Sequence, residues 1–299
     1  MIQVEQLSKT YGPARAIEKL SFEVEKGEIV GFLGPNGAGK STTMRILAGA
    51  LGATSGRARI GGIDVFEQPK RVKAMVGYLP ERPPLYTEMT VRAFLRFCAH
   101  IKGAKDPARA VERSIERVGL KEVANRYIDH LSKGYRQRVG IAQAIVHDPA
   151  VLILDEPASG LDPAQRVEIR KLVRELAEGA TTVILSTHVL PEVEAICGRV
   201  IIIDRGVIRK VAPVDSLTSA TGVSLEVQRP SQALLDALAA VDGVTEVADR
   251  GGGHVELACA RDVREEVARV AVDAGLLRMG PTGGLEDVFL RLTGHEGEA

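Results

Sequence analysis

Residues Gly34-Pro35-Asn36-Gly37-Ala38-Gly39-Lys40-Ser41-Thr42 set glycines, a lysine and hydroxyls at the spacing G-x-x-x-x-G-K-[ST]. Successive backbone N–H groups in such a loop converge on a concavity that suits anionic oxygens. The glycines let the backbone approach a phosphate with no Cβ in the way. Lys40 can reach the outer phosphates of a nucleoside triphosphate, and the Ser41 hydroxyl is placed to hold Mg²⁺. A helix beginning near Lys40 adds the positive end of its dipole. The flanks support this reading over a glycine-rich turn that matches by chance. Gly27 to Leu33 reads as a buried strand, and Met44 to Ala48 as a helix.

A second chemical feature follows at Val151-Leu152-Ile153-Leu154-Asp155-Glu156. The apolar run is continuous, as in a strand buried on both faces. A carboxylate at the end of such a strand is the acidic partner that Mg²⁺ on a phosphate loop requires. Asp155 would act through the metal or its water, and Glu156 could polarise the attacking water. By themselves these residues read equally as two acids capping a strand beside Pro157. The phosphate-binding loop upstream favours the chemical reading.

The elements around these motifs alternate. Ser21 to Glu25 has the period of two of a half-exposed antiparallel strand, and Arg57 to Ile60 reads as another edge strand. Val76 to Leu79 is a short buried strand that Pro83 and Pro84 stop. Helical periodicity runs from Thr90, an N-cap candidate, to about Ala144, with stripes at Val91, Phe94, Leu95 and Cys98 and at Val111, Ile115, Val118 and Leu120. Asp162-Pro163 opens a helix with Ile169, Leu172, Val173 and Leu176 facing inward and Gly179 as its end. Thr182 to Ser186 and Val200 to Ile203 continue the strands, and the alternation argues for a parallel α/β sheet. Beyond about Thr218 the order becomes β-α-β-β-α-β, with strands at Val223, Val244, His254 and Leu276, and a closing helix from Leu285 to Leu292. The last residues, Gly294 to Ala299, are expected to fray.

Composition narrows the classes. The 299 residues suit two domains, and 45% hydrophobic content fills a sizeable core. Net charge is zero and Trp is absent, so neither a basic footprint nor base stacking argues for a nucleic-acid partner. Cys98, Cys197 and Cys259 lie far apart and read as reduced structural thiols. Met1 to Glu5 shows no signal-peptide pattern. Apolar runs reach about six residues, against roughly 20 for a bilayer span.

Taken in order, the motifs resemble those of the nucleotide-binding subunits of ABC (ATP-binding cassette) transporters. Leu131-Ser132-Lys133-Gly134-Tyr135-Arg136-Gln137 resembles the signature L-S-G-G-Q of that family, Ser159-Gly160-Leu161-Asp162 its D-loop, His188 its switch histidine, and Tyr11 the aromatic that stacks on adenine. The likeness covers residues 1 to about 215. It implies a P-loop ATPase domain with a parallel core sheet, an antiparallel β subdomain and a helical subdomain at about 82–145, followed at 216–299 by a small α+β ferredoxin-like accessory domain. The resemblance also implies the roles. Lys40, Glu156 and His188 serve hydrolysis, with Ser132 and Gly134 meeting the γ-phosphate of a second subunit's ATP, and Mg²⁺ at Ser41 and Asp155. Two positions depart from the family pattern: the signature carries Lys133 and Tyr135, and the glutamine that normally faces the metal is Glu81, here taken as a metal-site carboxylate. Both, with the Gly284 to Phe289 ending, resemble the type-2 exporter branch. The implied assembly is an ATPase dimer, homomeric or heteromeric. It would sit in the cytoplasm on the inner face of the cell membrane beneath transmembrane permease subunits docking near Pro83-Pro84-Leu85-Tyr86. A soluble ABC ATPase acting on ribosomes or DNA is the alternative. Such proteins usually carry two cassettes or a long coiled-coil insert, and this chain has neither.

Overall fold

A computed structural model describes residues 1–178, 181–218, 222–282 and 285–294. The chain divides into two units, Met1–Ala212 and Pro213–Ala299. The first unit opens with strands β1 (Ile2–Tyr11), β2 (Ala14–Val24) and β3 (Ile29–Leu33), then helix α1 (Lys40–Leu47). It continues through β4 (Ser55–Ile60), β5 (Ile63–Asp64), α2 (Pro69–Met75) and β6 (Val76–Leu79). Three helices follow, α3 (Val91–Ile101), α4 (Pro107–Arg117) and α5 (Lys133–Ile145). The unit ends with β7 (Val151–Asp155), α6 (Pro163–Ala177), β8 (Thr182–Thr187), α7 (Leu190–Ile196), β9 (Arg199–Asp204) and β10 (Val207–Pro213).

Two sheets result. One has the order β2-β1-β4-β5 and the other β10-β9-β3-β8-β7-β6. In the first, β1 and β2 alternate, sending Ile2, Val4, Leu7, Ile17, Leu20 and Phe22 into the core while intervening polar residues face water. In the second, β6, β7, β8, β3 and β9 pair in parallel. Its central strands are apolar on both faces because helices cover both, and Leu152, Ile153, Val183 and Ile184 are fully buried.

The expected caps form. Thr90 accepts a hydrogen bond from the Ala93 N–H and Asp162 from the Gln165 N–H, each satisfying a first-turn donor. One expectation fails: Arg57 to Ile60 lies in β4, which is flanked by β1 and β5 and is not an edge. The hydrophilic sequence suggested an edge, but the Arg57 and Arg59 side chains stand on the face away from the core while Ala58 and Ile60 are buried. Helices α2 and α7 and strand β10 had no expectation, because each is short and lacks a full period of apolar residues. Gly179, expected to end α6, and residues 295–299, expected to fray, lie outside the described residues; α6 is described to Ala177.

The second unit comprises α8 (Val214–Thr218), β11 (Gly222–Val227), α9 (Gln232–Ala239), β12 (Val244–Gly251), β13 (His254–Cys259), α10 (Arg264–Ala271), β14 (Leu276–Thr282) and α11 (Leu285–Thr293). Its antiparallel sheet has the order β12-β13-β11-β14, the ferredoxin-like arrangement. Leu225, Leu238, Val255, Leu257, Val263 and Val267 form a core of its own.

Two outcomes follow from this packing. Ile153→Ala, in a fully buried strand with neighbours on both sides, is expected to cost about 2–5 kcal/mol, read as a lowered denaturant midpoint of the first unit. A chain ending at Ala212 keeps the cores of both first-unit sheets and is expected to melt cooperatively in circular dichroism; a non-cooperative melt would count against independent folding.

Candidate functional site

The parallel register brings three strand ends to one edge. Leu33 pairs with Thr187 and Asp155 with Ser186, so the segments following β3, β7 and β8 emerge side by side. Ligands of open α/β sheets bind outside this carboxyl edge.

The loop after β3 turns directly into α1. Gly39 caps that helix at φ 103°, and a Cβ there would lie 2.6 Å from Ile17 Cγ2 and 2.7 Å from the Ala16 carbonyl oxygen. Both the torsion and the space demand glycine. Lys40 is only 6% exposed. Its Nζ donates to the Gly34 carbonyl at 2.7 Å and the Pro35 carbonyl at 3.2 Å, and lies 3.6 Å from Glu156 Oε1. Burial pushes the Lys40 amine below its ordinary pKa, and the Glu156 carboxylate opposes that shift.

Asp155 is buried at the end of β7. The Ser186 hydroxyl donates to its Oδ1 at 2.8 Å, and the nearby Ser41 hydroxyl also favours its ionised form. Desolvation raises its pKa, and the two hydroxyls work against the rise. Glu156 has φ 50°, a left-handed conformation that is strained in a residue other than glycine. Its N–H donates to the Ser186 carbonyl at 2.9 Å, and the Ser159 N–H donates to its carbonyl at 3.1 Å. Thus anchored, the Glu156 carboxylate meets His188 Nδ1 at 2.9 and 3.0 Å.

Lys40, Glu156 and His188 open on a cavity of about 450 Å³, whose lining does not include Asp155. Pro35, Asn36, Gly37, Gly39, Lys40, Ser41 and Thr42 line it, as do Glu81, Glu156 and His188. Gly34 and Ala38 support it from behind: Gly34 supplies a carbonyl to Lys40, and Ala38 is buried with its N–H bonded to the Pro35 carbonyl. Tyr11, Ser132 and Gly134 do not line it within one chain. Tyr11 is half exposed with the Lys9 ammonium 5.2 Å from its ring centroid. Ser132 caps α5, accepting from the Tyr135 N–H, and Gly134 lies so close to Gln165 of α6 that a Cβ would be 2.9 Å from its Cδ.

The oxygen donors Asp155, Glu81 and Ser41 suit a hard cation such as Mg²⁺, which would complete its shell with phosphate and water. Among the described residues no three His, Cys, Asp or Glu side chains gather into a site that would hold a metal without such help. Sequence reasoning missed Ala16, which lines the cavity with no chemical signature, and the Ser186 contact to Asp155. The serine at the polar end of an apolar strand was its only signal. A second cavity of about 690 Å³ is bordered by Tyr78, Pro84, Ile101, Lys70, Lys73 and Lys102. Burial holds the Lys102 amine down at about 8.

The family profile described as ABC transporter matches residues 17–159. The bacitracin transport ATP-binding protein BcrA of Bacillus licheniformis is 38% identical over 233 residues, 78% of this chain and 76% of that protein. The linearmycin resistance ATP-binding protein LnrL of Bacillus subtilis (strain 168) is 34% identical over 310 residues, 99% of both chains. Among solved structures, a dimeric ATP-binding cassette in a post-hydrolysis state with ADP and Pi matches with a TM-score of 0.66 at 25% identity, covering 71% of this chain and 98% of that one. No helix among the described residues is long and apolar enough to cross a membrane. With relatives this similar over its full length, the chain belongs to the ABC transporter family, as an ATP-binding subunit.

Proposed function

We propose that this subunit powers a membrane exporter by hydrolysing ATP in the cavity after β3, with Lys40, Glu156 and His188 carrying the chemistry. The observation that carries the reading is the convergence of those three side chains on one cavity lined by the phosphate loop. Lys40 now satisfies itself on two loop carbonyls and one carboxylate. A triphosphate entering the loop would give this desolvated ammonium stronger partners, and the loop amides would neutralise charge as the phosphoryl group transfers. Glu156 orients and deprotonates the attacking water. His188, anchored on Glu156, reaches the γ-phosphate. Ser41, Asp155 and Glu81 would hold Mg²⁺, which would supply neutralisation of the phosphate charge.

Ser132 and Gly134 complete the site only if they come from a second subunit, and Tyr11 would stack on adenine. One phosphate loop and one signature per chain favour a dimer, homomeric or heteromeric, with two composite sites. The dimeric cassette with ADP and Pi offers a precedent in a related fold. The names of BcrA and LnrL, bacitracin transport and linearmycin resistance, favour export. The largely apolar 690 Å³ cavity beside Pro84 suits a docking segment of a transmembrane permease, which would hold the subunit on the inner face of the cell membrane. Residues 1–215 would act as the ATPase and 216–299 as a regulatory or dimer-stabilising domain.

Glu156→Gln is expected to lower phosphate release by about 100-fold or more while leaving ATP affinity intact, and to trap an ATP-bound dimer in light scattering. A monomer at saturating MgATP would contradict the composite site. Glu81→Gln removes a negative charge that faces both Lys40 and Asp155. The Mg²⁺ concentration for half-maximal hydrolysis should rise several-fold; an unchanged Mg²⁺ dependence would remove Glu81 from the metal site.

A further inference from the structure

His188 sits at the bend between β8 and α7, with its side chain 48% exposed and, among the described residues, Glu156 alone holding the ring. Its backbone neighbours are held far more tightly. The Thr187 hydroxyl donates to Glu192 Oε2 at 2.9 Å, and the Val189 N–H donates to Thr187 Oγ1 at 3.1 Å. The Glu192 N–H donates to the Val189 carbonyl at 3.1 Å. These three hydrogen bonds close a ring around the peptide units on both sides of His188.

The ring is buried. Thr187 is 0% and Glu192 5% exposed. A carboxylate there is costly unless its bonds matter, since an apolar side chain would fill the same space between helix and sheet without desolvating a charge. Arg166 and Arg170 of α6 compensate that charge in part, and Arg166 also donates to the Leu161 carbonyl. The helix carrying Glu192 lies close on the core sheet because β3 has Gly31 beneath it. A Cβ at Gly31 would come within 2.9 Å of Val193 Cγ1 and 3.2 Å of Cys197 Sγ.

We propose that Glu192 is a positioning residue for hydrolysis: through Thr187 it fixes the peptide geometry around His188 and so keeps the imidazole on Glu156. A hydroxyl has one proton. With that proton committed to Glu192, the oxygen lone pairs face the Val189 N–H. Remove the acceptor and the hydroxyl is free to rotate, so Val189 loses its oriented partner and the switch segment loosens. The role rests on the catalytic reading of His188 and Glu156 given above.

The test compares two variants of similar size in the full chain. Glu192→Gln keeps an oxygen that accepts from Thr187, and Glu192→Met keeps the volume without it. Met is expected to lower kcat about tenfold or more, the effect of a small misplacement at the reacting centre, with KM and ATP affinity within about twofold. Gln is expected to restore kcat. Thr187→Val should give the same loss as Met, and the double variant no further loss, because both break one interaction. Independently of activity, the Val189 amide in the nucleotide-free chain should exchange faster in the Met variant than in the Gln variant. Equal exchange in both, or additive losses in the double variant, would overturn the ring. A normal rate in Glu192→Met beside a slow His188→Ala would overturn the positioning role alone. Normal rates in both would overturn the reading of His188 on which it rests.

Discussion

A lysine ammonium held almost out of water is the demand around which the site is organised. Lys40 cannot stay charged in that place without oxygen partners, and the chain supplies the Gly34 and Pro35 carbonyls and the Glu156 carboxylate. Each partner depends on something farther off. The carbonyls are presented by a loop whose path needs glycine at Gly34 and Gly39, pressed against Ile203, Ile17 and Ala16. The carboxylate is presented by a left-handed residue that the Ser186 carbonyl and the Ser159 amide hold in place. An ammonium poised in this way gains most from a ligand that brings several negative oxygens at once.

The parallel sheet makes that convergence possible. Loops that leave neighbouring parallel strands leave from the same edge, so residues distant in sequence meet without further scaffolding. Three consecutive strand ends in the order β3-β8-β7 deliver the lysine loop, the histidine segment and the acid pair. Strain at Glu156 is tolerable because both of its backbone groups are bonded. Pro157, which follows it, already disfavours the right-handed helical conformation there.

Much of this was legible in the residues. The phosphate loop, the acid pair and the buried strands announce themselves through glycine spacing and uninterrupted apolar runs, both local signals. The βαββαβ order of the second unit was legible for the same reason: each of its elements carries a period of its own. What could not be read is what long-range pairing decides. Arg57 to Ile60 has the look of an edge strand, yet β5, two residues long, pairs with it and covers that side. Helix α7 has too few apolar positions to show a stripe, so Glu192 gave no hint of standing under the histidine. Ala16 reaches the cavity only because β2 runs beneath the loop.

Gly31 carries one more consequence. It sits in the middle of β3, away from every reacting group, and its lack of a side chain lets α7 rest on the sheet at Val193 and Cys197. Glu192 is the residue before Val193. The height of the histidine segment above the sheet is therefore gauged from below, by a missing methyl group in a strand whose other end begins the phosphate loop. One strand thus acts as a common datum for the two halves of the site. A shift of β3 relative to β8 would therefore disturb the phosphate loop and the packing beneath the histidine segment in a single movement.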